Sequence, residues 1–329
     1  PSDLGVLLLP SDTATLFQDS AGTTPVTAAG QLVGRISDKS GRDNPATQAT
    51  ALSRPAYRET PSRIDLDAID DNMIVNFGAA FSGTVLQGTP RGVLHYDVNV
   101  PSGVWPLTTS PLYVPDAGEI TGLFAIDRAL TAPDVAKVKS YLTQEGAGSN
   151  FSGVTSMINW FRDRADVTAI HAGDWDTSSV TSFTAFAYGA SSLTTLDVSN
   201  WDTSSVTNFT NFARGASSLT TLDVSNWDTS SVTNFGTFAF GASSLTTVIV
   251  NGGTGNPFSD SPCTNYANAF TSTNLTQQSI DDILVAINAA GTSGGTFNQS
   301  GGSAPSATGQ AAITAMRSRG WTVTVTGGF

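Results

Sequence analysis

The segment LTTLDVSNWDTSSVTNF stands at residues 193–209 and again, unchanged, at 219–235, a period of 26 residues. No other feature constrains the chain as strongly, because a unit this small cannot bury its own apolar side chains and must bury them against its neighbours. Trp175, Trp201 and Trp227 keep the phase; so do Val180, Val206 and Val232, then Phe183, Phe209 and Phe235, then Phe186, Phe212 and Phe238. A weaker copy precedes these, carried by Val154, Met157, Trp160, Val167 and Ile170. A decayed copy follows an insertion, around Cys263, Tyr266 and Leu275.

Within a unit, Leu219, Leu222 and Val224 have the L-x-x-L-x-L spacing of a short strand whose alternate side chains turn inward. After Trp227 comes an Asp-Thr-Ser-Ser stretch able to cap a helix, and Val232, Phe235, Phe238 and Ala239 supply its apolar face. The spacing predicts strand, turn, helix and turn in each unit, stacked into an α/β solenoid with a parallel sheet along one side. Side chains alternating with Leu222 and Val224 then face outward in rows: Thr195, Thr221 and Thr247; His171, Asp197, Asp223 and Ile249; Ser199, Ser225 and Asn251. His171, Thr195, Asp197, Ser199, Thr221, Asp223 and Ser225 are the candidate binding residues, since rows of hydroxyls and carboxylates match the repeated hydroxyls of a sugar polymer. The plain alternative is an ordinary solvated strand face rich in threonine. The tryptophans can stack on sugars, but side chains locked to the period belong in the core.

The unit resembles the BspA-type leucine-rich repeats of bacterial and phage surface proteins, with their pattern S-L-x-x-L-D-x-S-x-W-D-T-S-x-V-x-x-M/F, over roughly residues 154 to 275. Where that family usually has methionine, this chain has Phe209 and Phe235. Beyond the repeats, Thr276 or Ser279 can cap a helix with Ile280, Ile283, Leu284 and Ile287 on one face, ended by Gly291. A glycine-rich link, a second helix over 306–319 and an alternating strand at Trp321, Val323 and Val325 complete a terminal cap that closes the apolar column.

The N-terminal half, to about residue 146, holds short apolar runs punctuated by Gly, Pro, Asn and Asp, the signature of many short strands in a β-sandwich. One helix is expected from Pro133 to about Leu142, with Thr131 and Asp134 spaced as a capping box and Val135, Val138, Tyr141 and Leu142 on one face. The phrases DKSGRDNPATQAT (38–50), DLDAIDDNMIV (65–75) and GLFAIDRALTAPDVAKVKSYL (122–142) resemble concanavalin-like, laminin-G-type domains of phage structural proteins. That resemblance spans most of residues 10–145 and implies a jelly roll; Ala68 replaces the customary glycine.

Composition narrows the function. Fifteen Lys and Arg against 27 Asp and Glu give a formal charge of -12, and nowhere do the basic residues cluster, which disfavours nucleic acid and anionic membranes. Apolar runs such as Val6–Leu9 are only of strand length, so neither a spanning helix nor a signal peptide is expected. One cysteine, Cys263, allows no internal disulfide, and His95 and His171 stand far apart in sequence, so no metal centre of the Cys/His kind is expected. Asp65, Asp67, Asp70 and Asp71 raise calcium as the only metal worth testing, against a solvated acidic turn that lacks the EF-hand glycine and distal glutamate. No H-E-x-x-H, P-loop or dinucleotide fingerprint is present, and the chain reads as non-enzymatic.

The expectation is therefore a β-rich chain of three parts: a lectin-like sandwich over 1–146, a solenoid over 147–275 and an α/β cap over 276–329. From the two resemblances follows a phage tail or head fibre protein, assembled in the host cytoplasm and carried on the virion. It would act in host attachment with other virion proteins and a host surface glycan or protein as partners, as a homo-oligomer with a trimer favoured. A bacterial adhesin and a polysaccharide depolymerase are the alternatives.

Overall fold

The computed structural model describes residues 5–9, 11–29, 31–33, 35–39, 45–49, 56–59, 62–65, 72–76, 81–89, 92–100, 104–108, 119–120, 122–126, 132–144, 150–252 and 257–329. The protein is β-rich with few helices, and its several small sheets are open. It divides into two compact units, one of Pro1–Phe151 with Asp166–Thr168, the other of Ser152–Ala165 with Ala169–Phe329. Among the described residues no helix is long and apolar enough to cross a membrane.

In the first unit, Gly5–Leu8, Gly122–Ile126, Phe81–Thr89 and Gly92–Val100 pair in that order, all antiparallel. The period-2 pattern is visible in the last of them, where Leu94, Tyr96, Val98 and Val100 are buried and the residues between them are not. Helix α1, Ala132–Gln144, runs slightly beyond the expected bounds and lays Val135, Val138 and Leu142 against Leu86. The buried phenol of Tyr96 donates to the Gln87 Oε1 across the hairpin at 3.0 Å, so neither polar group is orphaned. A second sheet orders Val104–Thr108, Asn72–Asn76, Ala46–Thr47, Arg35–Ile36 and Leu16–Phe17, and a third orders Glu119–Ile120, Ser62–Asp65 and Ala56–Glu59. The expected capping residue Thr131 lies outside the described residues.

In the second unit each copy lies directly on the next. Parallel bridges run Ser156–Ser182–Asn208–Asn234, in steps of the period. Short parallel strands match Ala169–His171 to Thr195–Asp197 and Thr221–Asp223 to Thr247–Ile249. The helix expected at Val232–Ala239 and its equivalents does not form. Instead the N–H groups of Phe183, Ala185, Ala187 and Gly189 donate to the carbonyls of Asn208, Thr210, Phe212 and Arg214 in the next copy, at 2.7–3.1 Å. The next copy repeats this, from Phe209, Asn211, Ala213 and Gly215 to Asn234, Gly236, Phe238 and Phe240. Between these rungs, Phe186 and Tyr188 close turns onto the carbonyls three residues back. The middle residue of each turn run, Ala185, Asn211 or Thr237, takes φ of +54° to +59°, which no helix tolerates in its interior. A helix would spend these N–H groups within the copy; here they bind copy to copy, which is why the stack wins.

The apolar spacing is satisfied all the same, because two successive three-residue turns bring Phe183 and Phe186 to one side. Rings then stack down the period: Phe183, Phe209, Phe235 and Tyr266 at 5.2–5.6 Å within 8° of parallel, and Phe186, Phe212 and Phe238 at 5.3–5.6 Å. Trp175, Trp201 and Trp227 form a further column at 6.3 Å. Two of the tryptophans also lie over the phenylalanine of the preceding copy, Trp201 on Phe183 at 4.2 Å and Trp227 on Phe209 at 4.5 Å. Trp201 and Trp227 donate their indole N–H to the carbonyls of Ala172 and Val198 at 3.0 Å. They are core residues, buried and hydrogen-bonded.

From Asn265 onward the stack continues with helices in it. Parallel strands Asn265–Phe270, Thr296–Gln299 and Thr322–Thr324 alternate with α2, Gln277–Ala289, and α3, Ala307–Ser318. Thr276 caps α2 through the Ser279 N–H, Gly291 follows its end at φ +70°, and Ser306 caps α3. Ser279 itself is buried. Its hydroxyl receives the Val248 N–H at 2.8 Å and donates to the Val248 carbonyl at 3.3 Å, so α2 closes the edge of the strand Thr247–Ile249 where another strand would otherwise pair.

Candidate functional site

The strand face of the repeats carries the expected rows, with differences that hydrogen bonding explains. Thr195 and Thr221 are exposed, while His171, Asp197, Ser199 and Asp223 are half-buried. Ser225 is buried, contrary to its expected outward place. Its hydroxyl donates to the Asp223 Oδ1 at 2.7 Å and its N–H to the same oxygen at 3.0 Å. Ser199 likewise donates to the Asp197 Oδ1 at 3.1 Å. The two aspartates therefore hold the turns that follow their strands, in the manner of Asx turns, as much as they face solvent. At the position one period before Ser199 stands Gly173, where any Cβ would overlap the Asp197 carboxylate.

The row is also less continuous than the spacing implies. Thr195–Asp197 and Thr221–Asp223 belong to different hydrogen-bonded sheets. Paired in register they would set the carboxylates of Asp197 and Asp223 directly opposite each other, an unfavourable like-charge pair. Copy-to-copy bonding is carried instead by the turn side and by buried hydroxyls, the Thr177 hydroxyl donating to the Asp202 carbonyl at 2.9 Å and that of Thr203 to the Asp228 carbonyl at 2.8 Å.

A second polar row begins each copy's loop. The Asp176 carboxylate accepts the hydroxyl of Ser178 at 2.6 Å and its N–H at 3.2 Å, and these bonds hold its pKa below the usual carboxylate range. Asp202 makes both bonds with Ser204, and Asp228 accepts the Ser230 N–H at 2.9 Å. These carboxylates are committed to their own loops.

On the turn side lies a row that the search for identical residues passes over, because its members differ: Arg162, Tyr188, Arg214 and Phe240, in register at the 26-residue period. Phase rather than identity is the signal that finds it. The Arg162 guanidinium lies 4.6 Å from the Tyr188 ring centroid, and that of Arg214 lies 5.5 Å from Tyr188 and 4.9 Å from Phe240. All four residues are half-buried.

Of the acidic run in the first unit, Asp65 ends the strand Ser62–Asp65, whereas Asp67, Asp70 and Asp71 lie outside the described residues. Cys263 is buried beside Asn265.

Residues 153–283 match the model of a repeat family described as "Mycoplasma protein of unknown function, DUF285", a BspA-like family. No curated protein and no solved structure matches the chain. The family likeness covers the stacked copies through the first part of α2.

Proposed function

We propose that the chain is a non-catalytic attachment protein, a lectin-like sandwich joined to a leucine-rich-repeat solenoid, and that it serves in a phage tail or head fibre that meets a host surface glycan. The observation that carries this reading is the stack itself. Copies held rigid by parallel columns of rings set the same hydroxyl, Thr195 and then Thr221, at the same place on successive copies. Such a surface suits a partner that also repeats. One neutral hydrogen bond adds only about 0.5–1.5 kcal/mol net, so useful affinity calls for several chains engaging together, and a trimeric fibre supplies that valency. The phage setting rests on the resemblance of both halves to phage structural domains.

The test is adsorption to host cells of particles carrying Thr195→Val with Thr221→Val, a change that removes two hydroxyls and keeps β-branched side chains on the strands. A several-fold fall in adsorption, with the chain still incorporated, is the expected result. Undiminished adsorption would reject the strand face.

A further inference from the structure

The strand Thr247–Ile249 ends differently from the two that precede it in the stack. Those continue Asp-Val-Ser-Asn, at 197–200 and 223–226, whereas this one continues Ile-Val-Asn-Gly at 249–252. The Asp223 carboxylate holds its turn by accepting both the N–H and the hydroxyl of Ser225, and Asp197 accepts the hydroxyl of Ser199. Ile249 offers no such acceptor. The residue at the serine position, Asn251, is exposed, where Ser225 is buried and Ser199 half-buried. Among the described residues neither the Asn251 side chain nor the Gly252 N–H makes a hydrogen bond. Gly252 is exposed as well, at φ +92°, and beyond its chain neighbours no heavy atom of the described residues lies within 4 Å of the place a Cβ would take. Asn251–Gly252 is the sole Asn-Gly pair in the 329 residues.

These are the conditions for ring closure by the chain on itself. A side-chain amide carbon stands next to a peptide nitrogen whose residue has no side chain to crowd the approach, whose backbone is free to turn, and whose N–H is held by no acceptor. The Gly252 nitrogen gives its proton to solvent and bonds to the Asn251 Cγ, and the side-chain nitrogen leaves as ammonia. Water then opens the cyclic imide. Attack at the side-chain carbonyl gives aspartate, and attack at the backbone carbonyl gives isoaspartate; nothing is oxidised or reduced, and water is the sole co-reactant. We infer that Asn251 is a site of spontaneous modification that places a new carboxylate at the end of the strand Thr247–Ile249. The row Ser199, Ser225 and Asn251 thereby gains a negative charge with time, whatever that face binds. Asn200 is exposed too but precedes Trp201, and Asn226 precedes Trp227 and donates its Nδ2 to the Ser199 carbonyl at 2.9 Å, so both are spared.

The folded full chain, kept at physiological temperature and mildly alkaline pH, is sampled over days, digested under acidic conditions and read by peptide mass spectrometry. Conversion at Asn251 should run at least tenfold faster than at Asn200 or Asn226, yield both aspartate and isoaspartate, and accelerate as pH rises. A synthetic peptide of residues 247–255 sets the rate of the unprotected pair, and the folded chain should fall within a few-fold of it. An isoaspartyl methyltransferase should label the aged chain and leave an equally aged Asn251→Gln variant unlabelled, while the two melt alike. The inference is overturned by conversion in the folded chain more than tenfold slower than in the peptide, by equal conversion at Asn200, by aspartate without isoaspartate, which would mean direct hydrolysis with no ring, or by undiminished labelling of the Asn251→Gln variant.

Discussion

Several polar side chains deep in the repeats find their hydrogen bonds across a copy boundary or in their own loops. Thr203 is buried and reaches the Asp228 carbonyl; Cys263, one cysteine in 329 residues, is buried with its sulfur accepting the Asn265 N–H at 3.3 Å. Burial pushes the Cys263 thiol up from its ordinary value. The native chain should therefore react with an aromatic disulfide reagent at pH 8 far more slowly than free cysteine does, and stoichiometrically once denatured; fast reaction of the folded chain would place the thiol at the surface. The same shift has a stability consequence. The fold favours the neutral thiol, so this contribution is fully present below the unfolded value, about 8.5, and declines as pH climbs from there toward the raised folded value. At this scale the sequence is a good guide to what is inside: the period alone places Trp201, Trp227 and both phenylalanine rows in the core. It misjudges Ser225, because strand alternation says nothing of a neighbouring carboxylate that draws a hydroxyl into its own turn.

Helices α1, α2 and α3 are legible from their caps and apolar stripes, with bounds within a few residues of expectation. The repeat helix is not, although the clue is present. Val232, Phe235 and Phe238 advance by three each time, a spacing that fits successive three-residue turns better than the 3.6 of an α-helix. Residue spacing reports which side chains share a side; where the N–H groups go decides the element. The edge closure by α2 is equally hidden in sequence, where Ser279 reads as one of two candidate caps, whereas the structure gives that role to Thr276 and uses the Ser279 hydroxyl for both backbone groups of Val248. Ser279→Ala should therefore lower stability by about 2 kcal/mol, the order expected when buried groups lose their partner. Ser318→Ala, which removes only an exposed bond to the Ala315 carbonyl, should change stability by under about 0.5 kcal/mol. Equal melting of the two variants would mean that α2 does not close the edge.

For the molecule as a whole, the repeated stack is what periodicity leads one to expect, while the pairing of Gly5–Leu8 with Gly122–Ile126 in the first unit joins residues far apart in sequence that no local pattern reveals. Removing residues 200–225 joins Ser199 to Asn226 and recreates the phrase DVSNWDTSS at the seam. Every surviving copy then keeps a neighbour of the kind it had, and the shortened chain should unfold in one cooperative transition by circular dichroism. Removing 200–212 alone should abolish that transition, since it sets Ser199 against Ala213 and breaks the ring columns. Similar transitions for both deletions would show that copies do not depend on their neighbours. Identical interfaces have a genetic consequence as well. Two adjacent stretches that encode the same 17 residues at 193–209 and 219–235 are natural sites for unequal recombination, and each such event adds or removes 26 codons in frame. The fold accepts either outcome, so the number of copies, and with it the length of surface offered to a partner, is a trait that lineages can change in one step without altering a single contact chemistry.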